Sequence, residues 1–411
     1  MKSLKILFLV IIIVSYHLKS GDGRRILSIK DFITDTNPTN VDYSQTFQEA
    51  WKGLCEDERS VGSALVIHEN ETYTIQPQLF KGPCVSSYIH IQIDGKIEAP
   101  KAYGEWKNTK NIDSWLCFKD VEGLFLNGSG TLHPHGEAWW PAVSHSNRPR
   151  TISFKACNDI IYNGLTQMNS PRIHISIVAC NNATLSNLHL IAPEDSPNTD
   201  GIDISMSHNI HVLDSSIQTG DDCIAVNGGR GGSSDINITR VACGPGHGIS
   251  IGSMGKNGEA DIVENVNVRN CSFLGTQNGA RIKTWHGGGG LAKNILYEHI
   301  TLTDTKYPII IDQHYSNGGD VEGNAVKVSN VTFRHFEGTS ASKIAIKLDC
   351  DETERCHNIV MEHINITSSS PVKNLTTYCK FADVLASFVN IGINCSSHKN
   401  LSYLPLPPPF H

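Results

Sequence analysis

Residues 182–226, NATLSNLHLIAPEDSPNTDGIDISMSHNIHVLDSSIQTGDDCIAV, decide the fold. One pattern occurs in them twice. Asn182-Ala-Thr-Leu opens the first copy and Asn209-Ile-His-Val the second: an amide, then apolar residues at alternate positions. A period of two is the spacing of a strand with one buried face. Residues 201–206 and 223–226 add two more short apolar runs. Between the runs stand Asn, Asp, Ser and Gly, which close turns. Helical spacing is absent.

The same pattern continues outward in both directions. Asn158-Asp-Ile-Ile precedes it. Asp235-Ile-Asn-Ile, Asn265-Val-Asn-Val, Asn294-Ile-Leu-Tyr, Asn330-Val-Thr-Phe and Asn358-Ile-Val-Met follow. Intervals of roughly 24 to 36 residues mark a solenoid, whose units bury a core only by stacking. The simplest reading is all-β: a single-domain right-handed parallel β-helix. Ile, Val and Leu would fill its interior. Asn at a repeated corner would hydrogen-bond to its equivalent one coil away, in a left-handed turn that Asn tolerates. A β-sandwich is the alternative, but sandwiches carry no such regular motif over about 200 residues.

Residues 44–54, SQTFQEAWKGL, break the pattern. Phe47, Ala50, Trp51 and Leu54 fall on one helical face, which predicts an N-terminal cap helix over the open end of the stack.

The chain starts as an exported protein would. Lys2 and Lys5 precede an apolar run at residues 6–14, and Ser15, Ser20 and Gly21 follow. This predicts a signal peptide over residues 1–22, which leaves residues 23–411 as the single β-helix domain. The run is too short to span a bilayer. Ten N-x-[ST] sequons, at Asn70, Asn127, Asn182, Asn237, Asn270, Asn330, Asn365, Asn374, Asn394 and Asn400, fit the same route. The 12 cysteines form no CxxC pair, which argues against a zinc ribbon. Short loops favour Cys350 with Cys356, Cys379 with Cys395, Cys223 with Cys243 and Cys55 with Cys84. Cys157, Cys180 and Cys271 sit in strand-like text as buried thiols. A formal charge of −7 argues against nucleic acid as a partner. No later stretch is apolar enough for a membrane helix. The Pro-rich residues 405–410 read as an exposed end.

Four polar clusters fall on successive repeats: Asn198-Thr199-Asp200, Gly220-Asp221-Asp222, Gly246-His247-Gly248 and Arg281-Ile282-Lys283. Tyr315 lies one repeat later. Adjacent coils are about 4.8 Å apart, so equivalent positions form a ladder. Asp200 and Asp222 would be one rung apart, with His247 on the next. Arg281 and Lys283 share a strand face. Asp200 reaches solvent only if Gly201 breaks the strand, and Gly220 permits a bend that brings Asp221 and Asp222 together. Crowded carboxylates cannot all ionise, so one keeps its proton. One acid and one carboxylate are what glycoside hydrolysis needs. Paired aspartates also occur in turns and Ca²⁺ sites; the His and the cations on neighbouring repeats favour catalysis. The glycines around His247 suggest a backbone closely approached by a sugar ring.

At these residues the chain resembles the polygalacturonases, the pectin-degrading glycoside hydrolases, in their plant branch. SPNTDGIDI, TGDDCIAV, CGPGHGISIGS and NGARIKTW match the four signature segments in order. FKGPC, GSGTLHPHGEAWW and PIIIDQHY extend the similarity over residues 80–395. The resemblance implies a right-handed β-helix, α-1,4-linked polygalacturonic acid or pectin as substrate, an inverting mechanism and no metal cofactor. It implies Asp221 as general acid, with Asp200 and Asp222 holding and activating the water. His247 would tune Asp221 or orient the sugar. Arg281 and Lys283 would bind a galacturonate carboxylate, with Tyr315 and Asn198 lining the subsite. It also implies a Cys223–Cys243 disulfide beside the site, and a secreted, monomeric cell-wall enzyme. There are three departures. The usual lead-in before the cap helix is not recognisable at residues 29–43. Ser316 stands where plant members often have Cys. Residues 227–234 make a longer loop. The rival readings are a Ca²⁺-dependent lyase and an inactive pectin-binding protein on the same scaffold.

Overall fold

The computed structural model describes residues 25–33, 42–56, 58, 62–107, 112–315, 325–370 and 374–395. The expected signal peptide, Ser316, Asn400 and the Pro-rich end lie outside them. The described strands form two sheets, of 20 and 11 strands. The chain is a right-handed parallel β-helix, as its repeat predicts.

The 11-stranded sheet takes one strand per coil, in chain order. Those that carry the site are Arg150–Lys155, Ile175–Val178, Ile202–Ser205, Ile224–Asn227, Ile249–Met254, Asn278–Thr284 and Tyr307–Asp312. Alternation decides what each presents. Ile152, Ile175, Ile202, Ile224, Ile249, Ala280, Ile309 and Ile346 stack in register through the interior. All eight are fully buried. Their spacing gives coils of 22 to 37 residues along this ladder. Fully burying each of the seven isoleucines is worth about 1.5–3 kcal/mol before the ordering entropy is subtracted. Residues one position along, such as Asp203, Ser250 and Arg281, face outward instead.

The corner asparagines form the expected ladder. Asn294 Nδ2 donates to Asn265 Oδ1 at 3.0 Å, and Asn330 to Asn294 at 3.1 Å. Asn358 donates to Asn330 at 2.9 Å and Asn265 to Asp235 at 3.1 Å. Each sits at positive φ, between 52° and 59°. The register corrects one member. Asn158 pairs with Asn181, so Asp159 rather than Asn158 is equivalent to Asn182, and Asn182 Nδ2 donates to Asp159 Oδ1.

Helix α1, Ser44–Glu56, caps the stack. Phe47, Ala50, Trp51 and Leu54 are buried, as their spacing predicts. Trp51 packs on Phe80 and Phe118, and its indole N–H donates to the Lys81 carbonyl at 3.1 Å. Asp42 Oδ1 accepts the backbone N–H of Ser44, which supplies the first turn with a side-chain acceptor. The four expected disulfides are present: Cys55–Cys84, Cys223–Cys243, Cys350–Cys356 and Cys379–Cys395. Cys157, Cys180 and Cys271 are buried thiols.

Candidate active site

Three successive loops enter the 11-stranded sheet from the same edge. Asp200 ends the loop before Ile202–Ser205, Asp221 and Asp222 the loop before Ile224–Asn227, and His247 the loop before Ile249–Met254. Backbone bonds hold the loops to one another. Gly201 N–H donates to the Asp222 carbonyl at 2.8 Å, and His247 N–H to the Asp221 carbonyl at 2.8 Å. Thr199 is buried and its hydroxyl accepts the Gly220 N–H at 2.9 Å. The carboxylates are thus set by a rigid ladder, not by flexible loops.

Asp221 and Asp222 lie together with His247, with one ligand-type atom of each within 4.8 Å of the others. Their environments differ. Asp221 Oδ1 accepts the Asp222 N–H at 2.8 Å and faces His247 Nδ1 at 2.9 Å. Its Oδ2 has only the Asn198 amide, at 3.4 Å. Asp222 is fully buried. Its Oδ1 accepts from Ser250 Oγ at 2.9 Å, with Arg281 Nη1 at 3.8 Å, and its Oδ2 accepts from Lys283 Nζ at 2.5 Å. The ionised form of Asp222 therefore has donors on both oxygens.

Arg281 and Lys283 do share one face of Asn278–Thr284, with fully buried Ile282 facing the core. They are not on a solvated outer face: each is less than a tenth exposed. Tyr315 covers them, 5.3 Å from the Arg281 guanidinium and 5.2 Å from Lys283 Nζ, within cation–π range. Tyr315 itself is 41% exposed. Lys283 is held by Asp222, which leaves Arg281 and Tyr315 as the freer partners for a ligand.

Charge is unevenly shared among the acids. Burial, then Asp203, Asp221 and Asp222, push the half-buried Asp200 carboxyl well above the ordinary carboxylate range. Burial and the neighbouring Asp222 raise Asp203 to about 7. Burial also raises Asp221, but the His247 hydrogen bond and the charges of His247 and Lys283 outweigh it and leave Asp221 below its usual value. Burial lowers Lys283, yet the charge of Asp222 outweighs it and keeps the ammonium protonated.

The glycines have a different cause from the one expected. A Cβ on Gly248 would lie 2.3 Å from the Asn278 carbonyl oxygen, and one on Gly246 2.8 Å from the Asp221 carbonyl oxygen. Both have positive φ. Coil stacking, not an approaching sugar, demands glycine there.

Sequence reasoning overlooked Asp203, Ser250 and Arg172. The first two occupy outward positions in register with Arg281 through the strands between them. Strict alternation from Ile202 and Ile249 would have found them. Arg172 feels the charges of Asp200 and Asp203 from one coil earlier. An open groove leads away from His247 past Gln277, Lys306 and Lys343.

The glycosyl hydrolases family 28 model matches residues 57–387. A probable polygalacturonase of Arabidopsis thaliana is 45% identical over 336 residues, covering 80% of this chain and 71% of the relative. A polygalacturonase of Persea americana is 38% identical over 363 residues, covering 86% and 76%. Among solved structures, an endo-xylogalacturonan hydrolase from Aspergillus tubingensis superposes with a TM-score of 0.73 at 23% identity, over 90% of this chain and 99% of that one. An exopolygalacturonase from Thermotoga maritima gives a TM-score of 0.74 at 18% identity, over 89% and 91%. At those identities the two structures speak for the fold alone. The family model and the plant relatives each cover most of the chain, and by them it belongs to family 28 of the glycosyl hydrolases.

Proposed function

We propose that this enzyme hydrolyses α-1,4 bonds between galacturonic acid residues in polygalacturonan, with inversion. The observation that carries the reading is the division of labour between Asp221 and Asp222. Asp221 has one oxygen occupied by donors and one, Oδ2, almost free. That oxygen is the one to deliver a proton to the leaving sugar. Asp222 is satisfied as an anion by Lys283 and Ser250, and with Asp200 it holds the attacking water. Asp200 keeps its proton, so it orients the water while Asp222 accepts from it. In the free protein His247 holds Asp221 low, so Asp221 gains its proton as the anionic chain enters and opposes further negative charge. Arg281 and Tyr315 grip a substrate carboxylate at the reacting centre. The groove beyond His247 carries Lys306 and Lys343 alongside Glu194 and Asp304, and its two lysines extend that grip along the polymer.

The protein acts as a secreted, extracellular monomer at the cell wall, with neither nucleic acid nor membrane as partner. Four disulfides and the sequons support an oxidising, exported setting. Among the described residues no helix is long and apolar enough to cross a membrane.

The test is a product profile on polygalacturonic acid, with the anomer followed by NMR in the first minutes. Saturated oligogalacturonides or galacturonate, released first as the β-anomer, are expected. An unsaturated, ultraviolet-absorbing product means a lyase. No product, with polymer still bound, means a binding protein.

A further inference from the structure

We infer that Glu98, His133 and His135 form a binding site for a divalent transition-metal cation of the zinc class. The site lies outside the aspartate cluster, at the base of the loop two coils before Asp200 and three before Asp222. Glu98 ends strand Lys96–Glu98, His133 ends strand Thr131–His133, and the two are paired in register. His135 follows two residues later. One ligand atom of each lies within 4.8 Å of the others.

The hydrogen bonding leaves a gap that a cation fills. Nε2 of His133 and Nε2 of His135 are buried and make no hydrogen bond of ordinary length: the nearest carboxylate oxygens are Glu137 Oε1, 3.7 Å from His133, and Glu98 Oε2, 3.5 Å from His135. His135 is 8% exposed, as is Glu98. His135 Nδ1 faces Glu137 Oε1 at 3.3 Å. An Nδ1–H donated there leaves the Nε2 lone pair bare and pointing at Glu98 Oε2, 3.5 Å away. Two acceptors then face each other in a buried space. A proton between them would draw them to about 2.7–2.9 Å, the length of a charge-assisted bond. The 3.5 Å separation is close to the edge of a tetrahedron with legs of about 2.1 Å, the Zn–N and Zn–O distance.

The donor set selects the metal class. Two imidazoles and one carboxylate suit Zn²⁺ or Cu²⁺; Ca²⁺ and Mg²⁺ prefer oxygen alone. Glu137 fills the supporting role that a carboxylate plays behind a ligating histidine. The backbone is fixed as well. A Cβ on Gly136 would lie 2.4 Å from Pro171 N, so the turn is locked against the next coil. One group competes: Lys96 Nζ lies 2.5 Å from Glu98 Oε2. Lys96 is over a third exposed and can swing into water. The loop that starts here ends at Arg148, whose Nη1 donates to the Pro197 carbonyl beside Asn198. A bound cation would therefore brace a loop that leans on the catalytic edge.

Tag-free, chelator-stripped protein is titrated with Zn²⁺ by calorimetry, and with Co²⁺ for its visible d–d absorption. One equivalent should bind, with a four-coordinate Co²⁺ spectrum. The thermal midpoint should rise by about 3–5 °C at a hundredfold excess over Kd. His133→Gln and His135→Gln should each weaken binding at least tenfold, and Lys96→Met should tighten it. Glu98→Gln provides a third variant if either histidine change prevents folding, judged by circular dichroism and by hydrolysis of polygalacturonic acid. His286→Gln, in the separate His286–His314–Asp351 cluster, should leave binding unchanged. Absence of binding to the wild type overturns the proposal, as does binding that survives His135→Gln and is lost with His286→Gln.

Discussion

Lys283 Nζ donates to Asp222 Oδ2 at 2.5 Å across 61 residues of sequence, and neither group reaches solvent freely. Removing one partner strands the other charge in the interior. Lys283→Met is therefore expected to cost about 3–5 kcal/mol of unfolding free energy. The double variant Lys283→Met with Asp222→Asn should regain at least half of it. Chemical denaturation of the four proteins closes the cycle. Arg281→Ala should differ: a raised KM with a smaller loss of stability, because Arg281 stands 3.8 Å from Asp222 and faces Tyr315. Equal effects of the two changes would mean that both cations serve the same partner.

The three acids give a second prediction. Asp221→Asn, Asp222→Asn and Asp200→Asn should each reduce turnover by roughly 10²–10⁴-fold, with stability little changed for Asp221→Asn and Asp200→Asn and lowered for Asp222→Asn, which leaves Lys283 without its partner. Initial rates on polygalacturonic acid, with thermal melts as the folding control, measure this. Near-normal turnover in one variant would remove that residue from the mechanism.

The corner ladder gives a third. Asn294 donates to Asn265, accepts from Asn330, and sits at φ 58°. Asn294→Ala removes both bonds and places a Cβ-bearing residue without local hydrogen bonds in the left-handed region. A loss of about 1–2 kcal/mol is expected. Asn294→Gly should cost less, because glycine accepts that conformation. Urea unfolding of both variants checks the order, and Gly costing more than Ala would reverse the argument.

That ladder also shows why the fold was legible in the sequence. Each coil has several left-handed residues, Ala156, Ala179 and Met206 among them, but the corner that also bonds to the neighbouring coil is Asn or Asp, so that requirement surfaces as a repeated letter. The same logic fails where the letter is doubled. Asn158 and Asp159 are both plausible, and only the pairing of Asn158 with Asn181 selects Asp159. At the site, the clustered polar segments were visible because they interrupt apolar alternation. Asp203 and Ser250 hide inside strands whose outward face looks like ordinary surface. The glycines beside His247 were legible as constrained, but not by what: neighbouring backbone 2.3–2.8 Å from the absent Cβ is information from another coil.

The last prediction concerns pH. Asp221 must be protonated to assist the leaving sugar, so rates fall as pH rises through its pKa. The attacking water needs an ionised carboxylate of the cluster to accept its proton, so rates fall again as pH drops. In the free protein His247 keeps Asp221 below the usual carboxylate range, even against burial. In the complex, substrate carboxylates raise it. The profile of kcat/KM reports the free enzyme and that of kcat the complex. The basic limb of kcat/KM should therefore lie at lower pH than the basic limb of kcat, with both maxima below pH 7, since ordinary carboxylates titrate near about 4. His247→Gln removes a charged donor from Asp221 Oδ1, so the carboxyl rises in the free protein. Its basic limb of kcat/KM should move up toward that of kcat. The limbs belong to the coupled cluster of Asp200, Asp203, Asp221 and Asp222, so their positions, not single-residue values, are what is compared. Initial rates from about pH 3 to 8 at saturating and limiting polygalacturonic acid give both profiles. Coincident basic limbs in the wild type, or a downward shift in His247→Gln, would mean that His247 does not set the proton on Asp221.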